Sequence, residues 1–341
     1  MRRFYRPADR AGSSLNDVPS GGRAARGFRA TPVELDPPDL SPWRTGDTGI
    51  DYVWSFTAAA PGPHVMLSAL MHGNEICGAI ALDRMLYVGI RPVRGKITFA
   101  FCNVEAYRNF SRLDPALSRY VDEDMNRVWD HNALEGPRNS PELRRARVLR
   151  PLIDTVDYLL DIHSTTNINP PMMLTGIERK HLDFAKALGF PVYLVRDAGH
   201  EGGRRLRDYG QFSDPASPAV ALLVESGQHW AKQTAETASE TAWRFLTATG
   251  VLSEADAALW IQQPPEAQRV IQVTHRITIQ NDDFRFVDIY EGFEVIERAG
   301  TVIARDGGRD IRTPYDNCVL IMPARRFTRG QTAVRLGRFE E

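Results

Sequence analysis

The sequence predicts an α/β core of layered helices and strands, followed by a small β-rich part. Three observations carry this. Apolar runs of strand length alternate with helix-period segments from about residue 50 to about residue 262. Helix boundaries are marked by Ser140-Pro141, Gly189 and Gly250. Near residue 265 the helices stop, and short strands punctuated by Gly, Asp and Pro take over.

Taken in order, DYVWSFTA (51–58) and HVMLSAL (64–70) read as strands. ICGAIALDRMLY reads as a helix, with Ile76, Ile80, Leu82 and Leu86 on a broad apolar face. KITFAFCNV is a strand, and PELRRARVLRPLID is an amphipathic helix after the Ser140-Pro141 start. DYLLDIHS, PMMLT, PVYLVRD and AVALLVES are further strands, with HLDFAKALG between them as a helix. AKQTAETASETAWRFLTATG is a long helix, and Pro264-Pro265 rules out further helix at the boundary beyond it. QVTHRITI, RFVDIY, GFEVIERAG, TVIARDG, CVLIMPA and TAVRLG are the short strands of the tail. The expected division is a basic arm at 1–35, an α/β domain at 36–262 and a β-rich domain at 263–341.

Composition narrows the function class. The chain has 341 residues, 25% charged and 43% hydrophobic, which excludes a disordered chain, a collagen-like repeat and a coiled coil. No run nears the roughly 18 apolar residues of a membrane span. Net charge is −1, so no global field draws the chain to nucleic acid. The arm is the exception, with seven arginines against Asp9 and Asp17 in its first 30 residues. Cys77, Cys102 and Cys318 are odd in number and widely spaced, which implies no disulfide framework. No apolar h-region follows Arg2 and Arg3, so the expected location is cytoplasmic.

Four segments carry candidate chemistry. In Leu70-Met71-His72-Gly73-Asn74-Glu75 a strand ends and a helix begins, the place where open α/β sheets bind ligands. A His and a Glu three apart can face one metal, and Gly73 leaves room for close approach. A turn histidine beside a glutamate favoured by the helix dipole fits those six residues equally well. In Asp161-Ile162-His163-Ser164-Thr165-Thr166 another strand runs into a histidine. His72, Glu75 and His163 together make the two-His, one-carboxylate set of hydrolytic zinc sites, and Asp161 is a candidate orienter of His163. Glu225 ends the apolar run Val220–Val224, a costly place for a carboxylate unless it is paired or functional. Beside an activated water it suits a general base and then an acid. Arg119-Tyr120-Val121-Asp122-Glu123-Asp124-Met125-Asn126-Arg127 offers guanidiniums and an amide for gripping carboxylates and oxyanions. A solvated loop with local ion pairs is the plain alternative for it.

In this order, HGNE, RYVDEDMNR, DIHSTT and VES resemble the succinylglutamate desuccinylase/aspartoacylase family, a branch of the zinc carboxypeptidase superfamily. The resemblance runs from about residue 64 to 230. It implies a carboxypeptidase-like three-layer α/β/α core with a mixed sheet, capped by a C-terminal β domain. It also implies one zinc ion on His72, Glu75 and His163, with Glu225 as catalytic acid/base. Arg119 matches the arginine that polarises the scissile carbonyl, and Asn126 with Arg127 the pair that grips a substrate carboxylate. The implied activity is hydrolysis of the amide bond of a small N-acyl amino acid. The alternatives are a zinc carboxypeptidase acting on short peptides and a non-catalytic ligand-binding relative. No nucleic-acid or membrane partner is implied, and an exposed edge in the tail leaves room for a homo-oligomer.

Two departures stand out. The family's further substrate-binding arginine shortly before the catalytic glutamate is missing, because Tyr209–Val224 contains no arginine. Arg204, Arg205 and Arg207 lie upstream, in a Gly-rich loop expected to fold over the pocket. The tail tyrosine of aspartoacylase has only Tyr290 and Tyr315 as candidates.

Overall fold

Fourteen strands and seven helices form among the described residues, which are 31–199, 202–262, 264 and 267–340 of this computed structural model. Residues 1–30 of the basic arm lie outside them, as do His200 and Glu201 of the Gly-rich loop. The strands of the core are β1 (Val53–Thr57), β2 (His64–Ala69), β3 (Lys96–Phe101), β4 (Tyr158–Thr165), β5 (Met172–Leu174), β6 (Tyr193–Arg196) and β7 (Val220–Gln228). The tail supplies β8 (Arg269–Thr278), β9 (Arg285–Phe286), β10 (Val295–Ile296), β11 (Val302–Asp306), β12 (Arg309–Arg312), β13 (Cys318–Ile321) and β14 (Thr332–Phe339). The helices are α1 (Ile76–Val88), α2 (Val104–Tyr107), α3 (His131–Glu135), α4 (Pro141–Ile153), α5 (Arg179–Leu188), α6 (Lys232–Ala248) and α7 (Glu254–Ala257).

Eleven strands make one mixed sheet in the order β1-β3-β2-β4-β7-β5-β6-β8-β14-β13-β10. Strands β3, β2, β4 and β7 are mutually parallel, and β5 turns antiparallel against β7. The C-terminal β-rich part continues this sheet, because β8 pairs in parallel with β6. A separate three-stranded sheet, β12-β11-β9, completes the tail.

Side-chain alternation along the central strands explains the layers. Leu67, Ala69, Leu160, Ile162, Leu222 and Val224 point to one face, which α1, α5 and α6 cover. Met66, Leu159 and Ala221 point to the other, packing with Leu143, Ala146 and Leu149 of α4 and with Trp129, Leu206 and Phe212. Central strands buried on both faces read as continuous apolar runs. The expected α/β/α core with a mixed sheet and a β-rich C-terminal part is therefore what the chain builds. The parallel arrangement brings the C-terminal ends of β2, β4 and β7 to one edge, where the polar residues sit.

Candidate metal centre and pocket

Strand β2 ends in a strained turn. Leu70 is buried with φ 58°, a left-handed conformation rare for a residue with a branched side chain. Asn103 N–H donates to its carbonyl at 2.8 Å and holds it there. Gly73 comes next in the turn, and a Cβ there would lie 2.4 Å from both Ser118 O and Tyr107 N, so only glycine fits. This turn places His72 below the start of α1, with Glu75 at the helix N-cap.

Both imidazoles aim Nδ1 at one carboxylate. His72 Nδ1 lies 2.8 Å from Glu75 Oε1, and His163 Nδ1 lies 2.9 Å from Glu75 Oε2. Their other nitrogens are anchored by acids: His72 Nε2 donates to Asp124 Oδ1 and His163 Nε2 donates to Asp161 Oδ2, each at 2.8 Å. Asp161 sits two residues before His163 on the same face of β4, and Ser68 Oγ donates to its other oxygen at 2.7 Å. With Nε2–H groups given to carboxylates, both Nδ1 atoms face one buried carboxylate, an arrangement that either protonated imidazoles or a metal cation among the three satisfies. The ligand atoms of His72, Glu75 and His163 lie within 4.8 Å of one another. Two imidazoles oriented by carboxylates plus one carboxylate fit zinc. Without a metal, burial opposes ionisation of Glu75, yet the two imidazoles hold its carboxyl well below the usual range.

Glu225 stands on β7 in register with His163 on β4 and with Met172 on β5. Its Oε2 is buried and has no hydrogen-bond partner among the described residues. Burial, then repulsion from Glu75, pushes its carboxyl up to about 8, while His163, Arg119 and Arg335 pull it down. A cation on Glu75 removes that repulsion.

Arg119 reaches the same cluster, donating from Nη2 to Asp124 Oδ2 at 3.0 Å and from Nη1 to Glu75 Oε1 at 3.4 Å. Asn126 places Nδ2 3.4 Å from His163 Nε2 and accepts from Leu206 N–H at 2.9 Å. Arg127 is next to it, half-buried, with Nη1 donating to Asn126 O at 2.7 Å. The structure thus brings His72, Glu75, His163, Glu225, Arg119, Asn126 and Arg127 to one edge of the sheet.

The Gly-rich loop is expected to fold over the pocket, and its described arginines are engaged within the chain. Its arginines are held by nearby acids and carbonyls. Arg205 donates to Asp208 Oδ2 at 2.7 Å and to Asp197 Oδ2 at 3.2 Å. Arg207 pairs with Asp208 and donates to Thr175 O and Ala221 O. Arg204 is exposed, donating to Asp208 O and Ser213 Oγ. Arg204 and Arg207 line a cavity of about 530 Å³ with Glu178, Asp197 and Asp208, and none of the His72, Glu75 and His163 cluster borders it. Tyr315 shares its hydroxyl with Thr274, and Tyr290 packs on Phe286, so neither tyrosine touches the cluster.

Four supporting residues lie outside the sequence reading. Asp124 orients both His72 and Arg119. Glu142, fully buried in the first turn of α4, accepts from the backbone N–H groups of Val121, Asp122 and Glu123 and from Asn103 Nδ2. His229 pairs with Ser164 Oγ at 2.8 Å, and Ser164 N–H donates to Glu75 Oε2 at 3.1 Å. Arg335 joins Arg205 on Asp197 from β14, donating at 3.1 Å. An arginine among Ala333, Val334 and Leu336 was a readable signal, whereas the others become visible only when distant segments meet.

Comparison with known proteins agrees with this geometry. Residues 61–247 match the succinylglutamate desuccinylase/aspartoacylase catalytic domain. A succinylglutamate desuccinylase of Pseudoalteromonas atlantica is 23% identical over 305 residues, 79% of each chain. An aspartoacylase of Xenopus tropicalis is 29% identical over 116 residues, 31% of this chain and 36% of its own. The crystal structure of succinylglutamate desuccinylase from Vibrio parahaemolyticus superposes with a TM-score of 0.62 at 19% identity, covering 85% of this chain and 87% of that one. The catalytic-domain match covers more than half of the chain and contains all four motif segments, so the protein belongs to the succinylglutamate desuccinylase/aspartoacylase family.

Proposed function

We propose that this protein is a zinc-dependent hydrolase that cleaves the amide bond of a small N-acyl amino acid and acts in the cytoplasm. Membership of a family of desuccinylases and aspartoacylases supports a deacylase. The observation that carries the finer reading is the convergence of both Nδ1 atoms on Glu75, next to the unpartnered carboxylate oxygen of Glu225. His72, Glu75 and His163 would hold the zinc, which supplies Lewis acidity that lowers the pKa of a water and polarises the amide carbonyl.

The chain's own groups do the rest. Asn126 and Arg127 bind a substrate carboxylate and fix the amide in the pocket. Glu225 takes a proton from the attacking water as its oxygen adds to the carbonyl carbon. Arg119, kept cationic by Asp124 and Glu75 despite burial, stabilises the oxyanion. Glu225 then gives the proton to the nitrogen as the C–N bond breaks, releasing a carboxylic acid and a free amino acid.

The test is amine release from a panel of N-acyl amino acids and dipeptides, with zinc and with chelator. Chelator-sensitive turnover of acyl amino acids is the expected result. Turnover of dipeptides alone would move the reading to a carboxypeptidase, and zinc binding without any turnover would favour a non-catalytic relative. Glu225→Gln should keep its zinc and lose about 10²–10⁴-fold in kcat. Near-wild-type turnover of that variant would remove Glu225 from the role of base.

A further inference from the structure

Ser164 stands where the regular ladder breaks on both sides of β4. On one side β2 pairs with β4 only as far as Ala69 opposite Ile162. On the other, β4 advances two residues from His163 to Thr165 while β7 advances three, from Glu225 to Gln228. The extra residue makes a β-bulge, and Gly227 within it has φ 127°, a conformation that favours glycine. Ser164 nevertheless carries a bond to the metal centre. Its N–H donates to Glu75 Oε2 at 3.1 Å, the oxygen that His163 Nδ1 also faces at 2.9 Å. The direction of that carboxylate therefore depends on what fixes Ser164.

His229, which follows the end of β7, is placed to do so. The residue is 2% exposed, and its contacts converge on one segment. Nδ1 lies 2.8 Å from Ser164 Oγ and Nε2 lies 3.2 Å from Thr166 Oγ1, while the backbone N–H donates to Thr165 O at 2.8 Å. Ring and backbone thus engage the three residues that follow His163. Residues two apart on an extended chain share a face, so one flat ring bridges both hydroxyls. Burial holds the imidazole pKa down, to about 4, so near pH 7 the ring is neutral, with one nitrogen donating and the other accepting. Two hydroxyls, each able to donate or accept, suit such a ring in either tautomer. The next residue holds the other end of the same bond. Trp230 Nε1 donates at 3.1 Å to the carbonyl of Asn74, the neighbour of Glu75 in the chain. Consecutive residues after β7 thus secure both the donor and the acceptor of the Ser164–Glu75 bond.

We infer that His229 is a positioning residue for the metal centre: through Ser164 it fixes the direction of the Glu75 carboxylate. The inference rests on the zinc reading above. Removing a partner that orients a metal ligand typically costs about 10–100-fold in metal affinity. A histidine that only fills space contributes to packing and leaves affinity alone.

The experiment uses the full chain with zinc ion alone as the probe. Zinc affinity is read by competition with a chromogenic chelator, and Tm is measured on the metal-free protein. Two variants separate the two ring nitrogens. His229→Asn puts an amide near the place of Nδ1 and keeps the bond to Ser164, whereas His229→Gln reaches to the place of Nε2 and keeps Thr166 instead. His229→Gln and Ser164→Ala should each weaken zinc binding by about 10–100-fold, and His229→Asn should recover most of that loss. The double variant His229→Gln/Ser164→Ala should bind no more weakly than either single one, because both remove the same bond. Unchanged affinity in His229→Gln overturns the inference, and a lower metal-free Tm beside it reduces His229 to a structural role. Equal losses in the Asn and Gln variants, or additive losses in the double variant, overturn the route through Ser164. A wild-type chain that binds no zinc overturns the metal-centre reading itself, an outcome distinct from any difference among the variants.

Discussion

Glu142 is the strongest lever on the site that does not touch it. Its carboxylate accepts from Val121 N–H at 2.7 Å, Asn103 Nδ2 at 3.1 Å, Asp122 N–H at 3.3 Å and Glu123 N–H at 3.4 Å. The loop so held carries Arg119 on one side and Asp124 on the other. Glu142→Gln keeps one oxygen and turns an NH2 group toward donors, so about half of these bonds are lost. A hydrogen bond to a charged group contributes about 1.5–3 kcal/mol net, less at the longer distances. The expected loss of stability is about 2–4 kcal/mol. For a chain of this size that lowers Tm by roughly 4–10 °C. The same release should misplace Arg119 and Asp124, weakening zinc affinity through His72 and lowering kcat by about 10- to 100-fold. Calorimetry, zinc titration and amine release measure the three effects. A Tm within 2 °C of wild type, together with unchanged zinc affinity and kcat, would refute the claim that Glu142 holds the loop.

Two further predictions concern the imidazoles. Asp161→Asn should weaken zinc about 10–100-fold, because His163 loses the carboxylate that fixes its tautomer and supports its basicity. Competition titration with a chelator reads this, and unchanged affinity would mean that backbone packing alone orients the ring. His64 lies at the far end of β2, where Nδ1 donates to Thr155 O and Nε2 accepts from Thr98 Oγ1. Burial, then Lys96, lowers its pKa from 6.5 to about 4. The unfolded chain therefore takes up this proton first as pH falls. The neutral His64 costs no stability above pH 6.5, and stability falls between 6.5 and 4 by up to about 1.4 kcal/mol per pH unit. Unfolding curves of wild type and His64→Gln should converge by that amount on acidification, and a pH-independent gap would refute the assignment.

What could be read from the chain divides along a physical line. Residues whose chemistry is local were legible. Asp161 and His163 share a strand face at spacing two, and His72 and Glu75 share one turn. Residues whose chemistry is made by long-range contact were not. Asp124 meets His72 across 52 positions, and nothing in the DEDMNR segment alone indicates which of its acids turns inward. The arginines of the Gly-rich loop read as candidate substrate ligands in a loop folding over the pocket. Asp197 and Asp208 engage Arg205, and proximity in sequence could not reveal that Asp197 would lie alongside. In the tail, apolar strands such as β13 and β14 were readable. β12 was not, because its sequence RDIR is mostly exposed and has no apolar run. The parallel pairing of β6 with β8, which makes the tail an extension of the central sheet, joins Tyr193 to Arg269 and has no local signature.

That pairing bears on whether residues 36–262 form an independent domain. The cluster Met172, Leu174, Val195 and Leu223 from the core packs with Ile271, Val319 and Ile321 from the tail, all buried. Ending the chain at 262 removes the last three and uncovers β6, whose unpaired edge then invites association. If each of the four remaining side chains loses about half of its burial, the cost is about 1 kcal/mol apiece. Loss of the ladder and of Asn167's contacts with Pro323 and Arg325 adds to it. The total, about 4–6 kcal/mol, is a large fraction of a stability of about 5–15 kcal/mol. A chain of residues 31–262 should therefore aggregate or melt at least 10 °C lower than the full chain, and it should bind zinc weakly because the loop after His163 has lost its tether. A soluble, cooperatively folding monomer with full zinc affinity would show instead that the α/β part stands alone and that the tail is an independent cap.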